Sequence, residues 1–352
     1  MVTTALSKYV ISYRDGVPRD DLREASAPGR VTLLGEHTDY NSGLALAVAT
    51  PQRTTVVARL GNPGTVEVAS AACGVASCEI EAATGPGFAV LAASLARAVG
   101  VRGVHLDVDS DLPVGAGLSS SAAYAVAVAL ALGVDGDPVA VAEACQRAEH
   151  AAGSDVGLLD QLVALVAREG EVVDLDFSDL TTSTFPLAES IGLSVVDTGV
   201  RRSVAASDYA RRRSQCESAA TVIGPLGLAS LEDLGALHDE LLRRRARHVV
   251  TECGRVRAGR LAARSGDLVA LGSLLDEGHR SLRDDFEVST PAVEAVRATV
   301  REIHGVVGVR LVGAGFGGCL VVAHDPDVAI LVPGRWSARL KPGAGATISQ
   351  PS

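Results

Sequence analysis

The sequence predicts an α+β protein of two packed domains, and three observations carry the prediction. At 352 residues the chain exceeds what one ordinary core organises. Apolar runs of strand length recur in the first half, at 30–35, 44–49, 54–60 and 65–69, and VHLDVDSDLP alternates apolar with polar residues as a half-exposed strand does. Among and after these runs lie segments with helical apolar spacing, of which 203–302 is long and rich in charge.

Taken in order, RVTLLG (30–35) and LALAVA (44–49) read as strands bracketing EHTDYNSG, whose Asp, Asn and Gly favour a turn that collects polar groups at one strand end. Residues 87–100 form a helix stopped by glycine. PVGAGLSSSAAYAVAVALALGV follows as a strand end, a Gly/Ser loop and an apolar helix; its stretch Ala122 to Val134 is too short to span a bilayer and reads as a buried helix. Residues 137–152 and 158–168 are helical, 171–176 and 193–198 are strands, and VGVRLVGAGFGGCLVVA closes the pattern as strand, glycine loop and strand. Neither a repeat nor a low-complexity linker marks a division, which is placed near 178, giving domains 1–178 and 179–352.

Composition narrows the function. Hydrophobic residues make up 47% and aromatic ones only 3%, so Ala, Val and Leu must fill the cores. A formal net charge of -10 argues against a grip on nucleic acid or anionic lipid, which leaves small substrates and no obligate protein partner. The six cysteines stand singly, fitting neither a zinc site nor a disulfide framework. The opening residues MVTTALSKYVISYRDG lack an apolar leader core, so a soluble, cytoplasmic protein is expected.

Three segments concentrate chemistry. In the loop PVGAGLSSSA (113–122), glycines let backbone amides close on phosphate oxygens while the next helix offers its positive end. Ser119, Ser120 and Ser121 can cap that helix, bind phosphate or ligate Mg²⁺, and a plain turn with an N-cap accounts equally well for the loop taken alone. It is no Walker A loop, since no lysine follows the glycines. The span 29–43 gathers Arg30, Glu36, His37, Asp39 and Asn41; of these Glu36, His37 and Asp39 are suited to vicinal sugar hydroxyls, although each of the three alone would pass for a solvated turn residue. Asp160 begins an apolar helix, where an acid also serves as N-cap, and Glu149 ends the preceding one.

APGRVTLLGEHTDYNSG (27–43), LPVGAGLSSSA (112–122) and GAGFGGC (313–319) together resemble the GHMP family of small-molecule kinases, and within it the galactokinase branch. AEHAAGSDVGLLDQ (148–161), SDYARRRSQCESAA (207–220), RARHVVTE (245–252) and GHRSLRDDFEVS (278–289) extend the resemblance over nearly the whole chain. It implies a two-domain GHMP kinase fold with the active site in the cleft between domains, and transfer of the ATP γ-phosphate to the C1 hydroxyl of galactose. Implied roles are Asp160 as base, Arg30 as its cationic partner, and Glu36, His37, Thr38, Asp39, Gly157 and Tyr209 against the sugar. Gly115, Ala116, Gly117, Leu118, Ser119, Ser120 and Ser121 would wrap ATP, and Ser121 and Glu149 would hold Mg²⁺. Residues 313–318 would form a backbone wall near the site. Thr32 and Val312 stand where the family more often has Asn and Thr, which bears on sugar preference. A related kinase for N-acetylgalactosamine, arabinose or an acid sugar, and a non-catalytic sugar and ATP sensor, are the alternative readings.

Overall fold

The computed structural model describes residues 12–13, 23–113, 115–201 and 205–349; apart from 12–13, the opening stretch read for a leader lies outside them. In chain order the first elements are β1 (Ser12–Tyr13), β2 (Arg23–Leu34), β3 (Leu44–Leu60), β4 (Thr65–Ser70), β5 (Gly74–Glu79), α1 (Gly87–Ala98), β6 (Val104–Ser110), α2 (Ser120–Ala131) and β7 (Val134–Asp135). Then come α3 (Pro138–Ala151), α4 (Leu159–Val166), β8 (Glu171–Asp176), β9 (Thr181–Pro186), β10 (Gly192–Asp197), α5 (Ala205–Ile223), α6 (Glu240–Ser265) and α7 (Leu268–Asp284). The last are α8 (Pro291–Arg301), β11 (Val306–Leu311), β12 (Cys319–His324), β13 (Ser337–Arg339) and β14 (Thr347–Ser349).

Two larger sheets result. One has eight strands in the order β14-β2-β3-β6-β4-β5, with β8 and β9 continuing from another stretch of β3; the other has four, β11-β12-β10-β13. The segments 44–49 and 54–60 prove to be one strand, β3. It pairs with β8 over Leu44–Ala47 and with β6 over Thr54–Leu60.

The expected division at 178 needs correction, because β8 and β9 pair across it as a hairpin from Asp176↔Thr181 to Glu171↔Pro186. Ser178 N–H donates to Asp176 Oδ1 and Thr181 N–H to Asp179 Oδ1, so the polar cluster there is a hairpin turn and not a linker. The chain leaves the first sheet after Pro186 and returns to it at β14, which pairs with β2.

Short polar residues set the helix starts: Asp137, Asp239, Asp267 and Thr290 each accept from an N–H in the first turn of α3, α6, α7 and α8, and a proline follows in α3 and α8. The scarcity of rings shows in α2, where Ala122, Ala123, Ala125, Val126, Ala127, Val128 and Ala129 are buried. Each Val or Leu so buried contributes about 1.5–3 kcal/mol. A second core joins the two sheets: Val31, Leu33, Leu34, Leu46 and Val48 meet Leu118 on one side and Cys253, Val256, Leu271, Leu275, Leu193, Val195 and Val321 on the other. Strand β2 and the turn that follows it are therefore held from both domains. No described helix is long and apolar enough to cross a membrane.

Candidate active site

The turn between β2 and β3 is buried. Glu36 and His37 each expose 4% of their surface, too little for the solvated turn residue that either alone suggested, and Thr38 exposes 0%. His37 takes φ 65°, a left-handed backbone that turns its ring towards Phe286, with centroids 4.4 Å apart, and its Nδ1 lies 2.9 Å from the Tyr40 hydroxyl. Glu36 Oε1 accepts from Gly313 N–H at 2.6 Å, which brings the late glycine motif to this turn. Burial raises the Glu36 carboxyl above its ordinary range, against the opposing pull of Arg30 and Arg310. Thr38 behaves differently from the expectation of sugar contact. Its hydroxyl is directed at the carbonyls of Gly35 and Leu44, both at 2.7 Å, so it closes the turn.

Asp39 lies against the backbone of Gly157, where an added methyl group would collide with Oδ2. Its carboxyl is raised to about 6, by burial first and then by the negative charges of Asp160 and Glu36. Tyr209, from α5, sets its ring 5.8 Å from that of His37 and 5.7 Å from that of Tyr40, and burial keeps its phenol protonated well past the usual range. The turn, the 157 backbone and α5 thus come together at one place.

Asp160 is not an N-cap. Leu158 holds that position, and Asp160 sits in the first turn of α4. Its Oδ1 is 2.7 Å from Arg30 Nε, and its Oδ2 accepts from the Ser119 hydroxyl at 2.6 Å. Arg30 also donates through Nη1 to Gly117 O at 2.9 Å, and its own N–H donates to Leu118 O at 3.1 Å. The Gly/Ser loop is thereby pinned to β2. Gly115 and Gly117 adopt φ 73° and 82°, where glycine is unstrained. Ala116 and Leu118 bury their side chains in the core, so what they offer outward is backbone.

Behind the loop, Ser121 donates to Glu149 Oε1 at 2.7 Å while Gln161 Nε2 donates to Oε2. Glu149 is pushed up to about 7 by burial, against the hydrogen bonds from Ser121 and Gln161. Among the described residues no cation bonds this buried carboxylate, and with the hydroxyl beside it the pair is a hard-oxygen donor set of the kind that suits Mg²⁺. Among the described residues no group of three or more His, Cys, Asp or Glu forms a complete cage, so an ion here would take its other ligands from phosphate and water.

The sequence reading missed the groups that hold the turn from behind. Glu252 on α6 and Arg310 on β11 form an ion pair at 2.6 Å; Glu252 Oε1 accepts from Gly35 N–H at 2.7 Å, and Arg310 donates to Leu33 O at 2.8 Å. His248 Nε2 lies 3.1 Å from Glu36 O and its Nδ1 2.9 Å from Ser281 Oγ. Burial lowers the His248 ring to about 4, so it is neutral near pH 7, and facing a carbonyl its Nε2 carries the proton. The segments RARHVVTE and GHRSLRDDFEVS contained three of these four supports, but nothing in their spacing announced the contacts.

Two family matches identify the segment that carries this loop and acid, and the later half of the chain, as those of a small-molecule kinase of the GHMP class. Residues 88–168 match the GHMP kinase N-terminal domain and residues 260–341 the C-terminal domain. Residues 15–60, which include the buried turn, match the galactokinase galactose-binding signature. The chain is 37% identical over 330 residues to a Homo sapiens galactokinase, spanning 86% of this chain and 84% of that one. It is 37% identical over 320 residues to a galactokinase of Roseiflexus sp., spanning 84% and 81%. The Lactococcus lactis galactokinase crystallised with galactose superposes with a TM-score of 0.83 at 26% identity, covering 93% of this chain and 95% of that one. An L. major mevalonate kinase shares the fold alone, at a TM-score of 0.59 and 18% identity over 97% of this chain and all (100%) of that one. The chain belongs to the galactokinase family.

Proposed function

We propose that this protein is an ATP-dependent sugar kinase that transfers the γ-phosphate of ATP to the C1 hydroxyl of α-D-galactose, giving galactose 1-phosphate and ADP. The observation that carries the reading is convergence: Asp160 lies between Arg30 and Ser119 and is close enough to Asp39 and Glu36 for its charge to act on both carboxyls.

In this reading galactose lies against Glu36, His37, Asp39 and Tyr209, with the backbone at Gly157 limiting the space, and the triphosphate lies on the loop amides of 115–121 at the N-terminus of α2. The C1 oxygen forms a bond to the γ-phosphorus as the bond to the bridging oxygen of ADP breaks, and its proton passes to Asp160 and then to solvent. Because such transition states are loose, Asp160 acts chiefly by orienting the hydroxyl, taking the proton late, while Arg30 keeps the carboxylate balanced and faces the developing phosphoryl charge. Ser121 and Glu149 would hold Mg²⁺, which when bound neutralises the phosphate oxygens. A cytoplasmic setting accords with six cysteines that are all free.

The test is a panel of monosaccharides with ATP and Mg²⁺, read by ADP release. Galactose is expected to give the highest kcat/KM. A higher value for N-acetylgalactosamine, arabinose or an acid sugar would reassign the substrate, and tight binding of sugar and ATP with no ADP release would favour a sensor.

A further inference from the structure

Ser119 stands immediately before α2 in the left-handed region, at φ 60° and ψ 41°, and its side chain caps no helix N–H. Residues with a Cβ are strained there, and the neighbouring positive-φ positions 115 and 117 are both glycine. A plain turn would be served better by a third glycine. What the serine adds is a hydroxyl, and the left-handed backbone aims it at Asp160 Oδ2, 2.6 Å away. With Oδ1 set against Arg30 Nε at 2.7 Å and Arg30 Nη1 donating to Gly117 O at 2.9 Å, the contacts close a ring through Arg30, Gly117, Ser119 and Asp160.

We propose that the Ser119 side chain is a positioning group for Asp160 and that its hydroxyl is not a phosphate ligand. Its hydroxyl fixes the carboxylate in the rotamer that meets the sugar hydroxyl and makes that rotamer depend on the shape of the phosphate loop. The inference rests on the reading of Asp160 given above and deepens it. A hydrogen bond to an ionised carboxylate is among the stronger ones, and its loss permits rotation of the acid away from the attacking oxygen.

Ser119→Gly separates the hydroxyl from the strain, since glycine suits the backbone that serine strains. The expected variant melts no earlier than wild type, keeps its KM for ATP within about twofold, and loses roughly 10- to 100-fold in kcat. Ser119→Ala should lose as much kcat, and Ser119→Thr, which keeps the hydroxyl, should recover part of it. In an Asp160→Asn background, adding Ser119→Gly should change the residual single-turnover rate less than twofold, because the two side chains act as one unit. An unchanged kcat with a raised KM for ATP would overturn the proposal in favour of a phosphate ligand, as would an undiminished loss in the Asp160→Asn background. Wild-type protein that phosphorylates no sugar would overturn the kinase reading itself, a failure distinct because it precedes any substitution.

Discussion

Arg310 and Glu252 form an ion pair in which neither side chain is exposed, at 2.6 Å, and each also bonds to the backbone of β2 or the residue following it, at Leu33 O and Gly35 N–H. Two charges buried together are stable only while both remain, since each compensates the other's lost hydration. Arg255 supplies a second cation to the same carboxylate at 2.7 Å, and together the arginines hold the Glu252 carboxyl far below its usual range despite burial.

Glu252→Ala leaves Arg310 buried without its carboxylate and frees the Gly35 N–H. We expect a loss of about 3–5 kcal/mol in urea unfolding, and among molecules that remain folded a KM for galactose that rises while the KM for ATP holds. A loss below about 1 kcal/mol would mean that the pair does not anchor the turn.

Gly157→Ala tests the close approach of Asp39. The methyl group would occupy the place of Oδ2, so the acid must move. We expect the KM for galactose to rise about tenfold or more, equivalent to about 1.4 kcal/mol, with ATP binding unchanged by calorimetry.

The raised Asp39 carboxyl has a signed consequence. Its proton is held up to about 6 in the folded protein, against 3.8 as the ordinary value, so between those limits the folded state binds more protons and stability falls as pH rises. Asp39→Asn removes that slope. The stability of the variant relative to wild type should grow by roughly 1–3 kcal/mol between pH 4 and pH 7, measured by urea unfolding at each pH. A difference that stays flat would refute the assigned burial.

Gln161 supports the hydroxyl–carboxylate pair from outside through its bond to Glu149 Oε2. Gln161→Ala should raise the Mg²⁺ concentration for half-maximal activity by about tenfold, the usual scale for loss of a residue that orients a metal ligand. Unaltered Mg²⁺ dependence would place the ion elsewhere.

What the sequence made legible was local. Glycines and hydroxyls at 115–121, and the acid, histidine and asparagine crowded into 36–43, advertise themselves because each residue type is unusual beside an apolar strand or helix. Most helices were legible for a similar reason, as the α3 pattern read at 137–152 became Pro138–Ala151 with Asp137 as its cap. Pairing at a distance was not legible. Glu252 and Arg310 look like surface charges in a helix and a strand, and only the fold brings them to Gly35 and Leu33. The resemblance assigns Thr38 to the sugar, and nothing in its sequence neighbours reveals that the Gly35 and Leu44 carbonyls lie within its reach. Strand β14 has three exposed residues and no apolar pattern, and its place is fixed by the free edge of β2.

The central claim is that the acid clamped between Arg30 and Ser119 serves the sugar hydroxyl. Galactose 1-phosphate formation by Asp160→Asn, with folding checked by circular dichroism and ATP affinity by calorimetry, tests it most directly. The account predicts a kcat at least about a thousandfold below wild type, a barrier increase of about 4 kcal/mol, with ATP still bound. A folded Asp160→Asn protein turning over at the wild-type rate would contradict it.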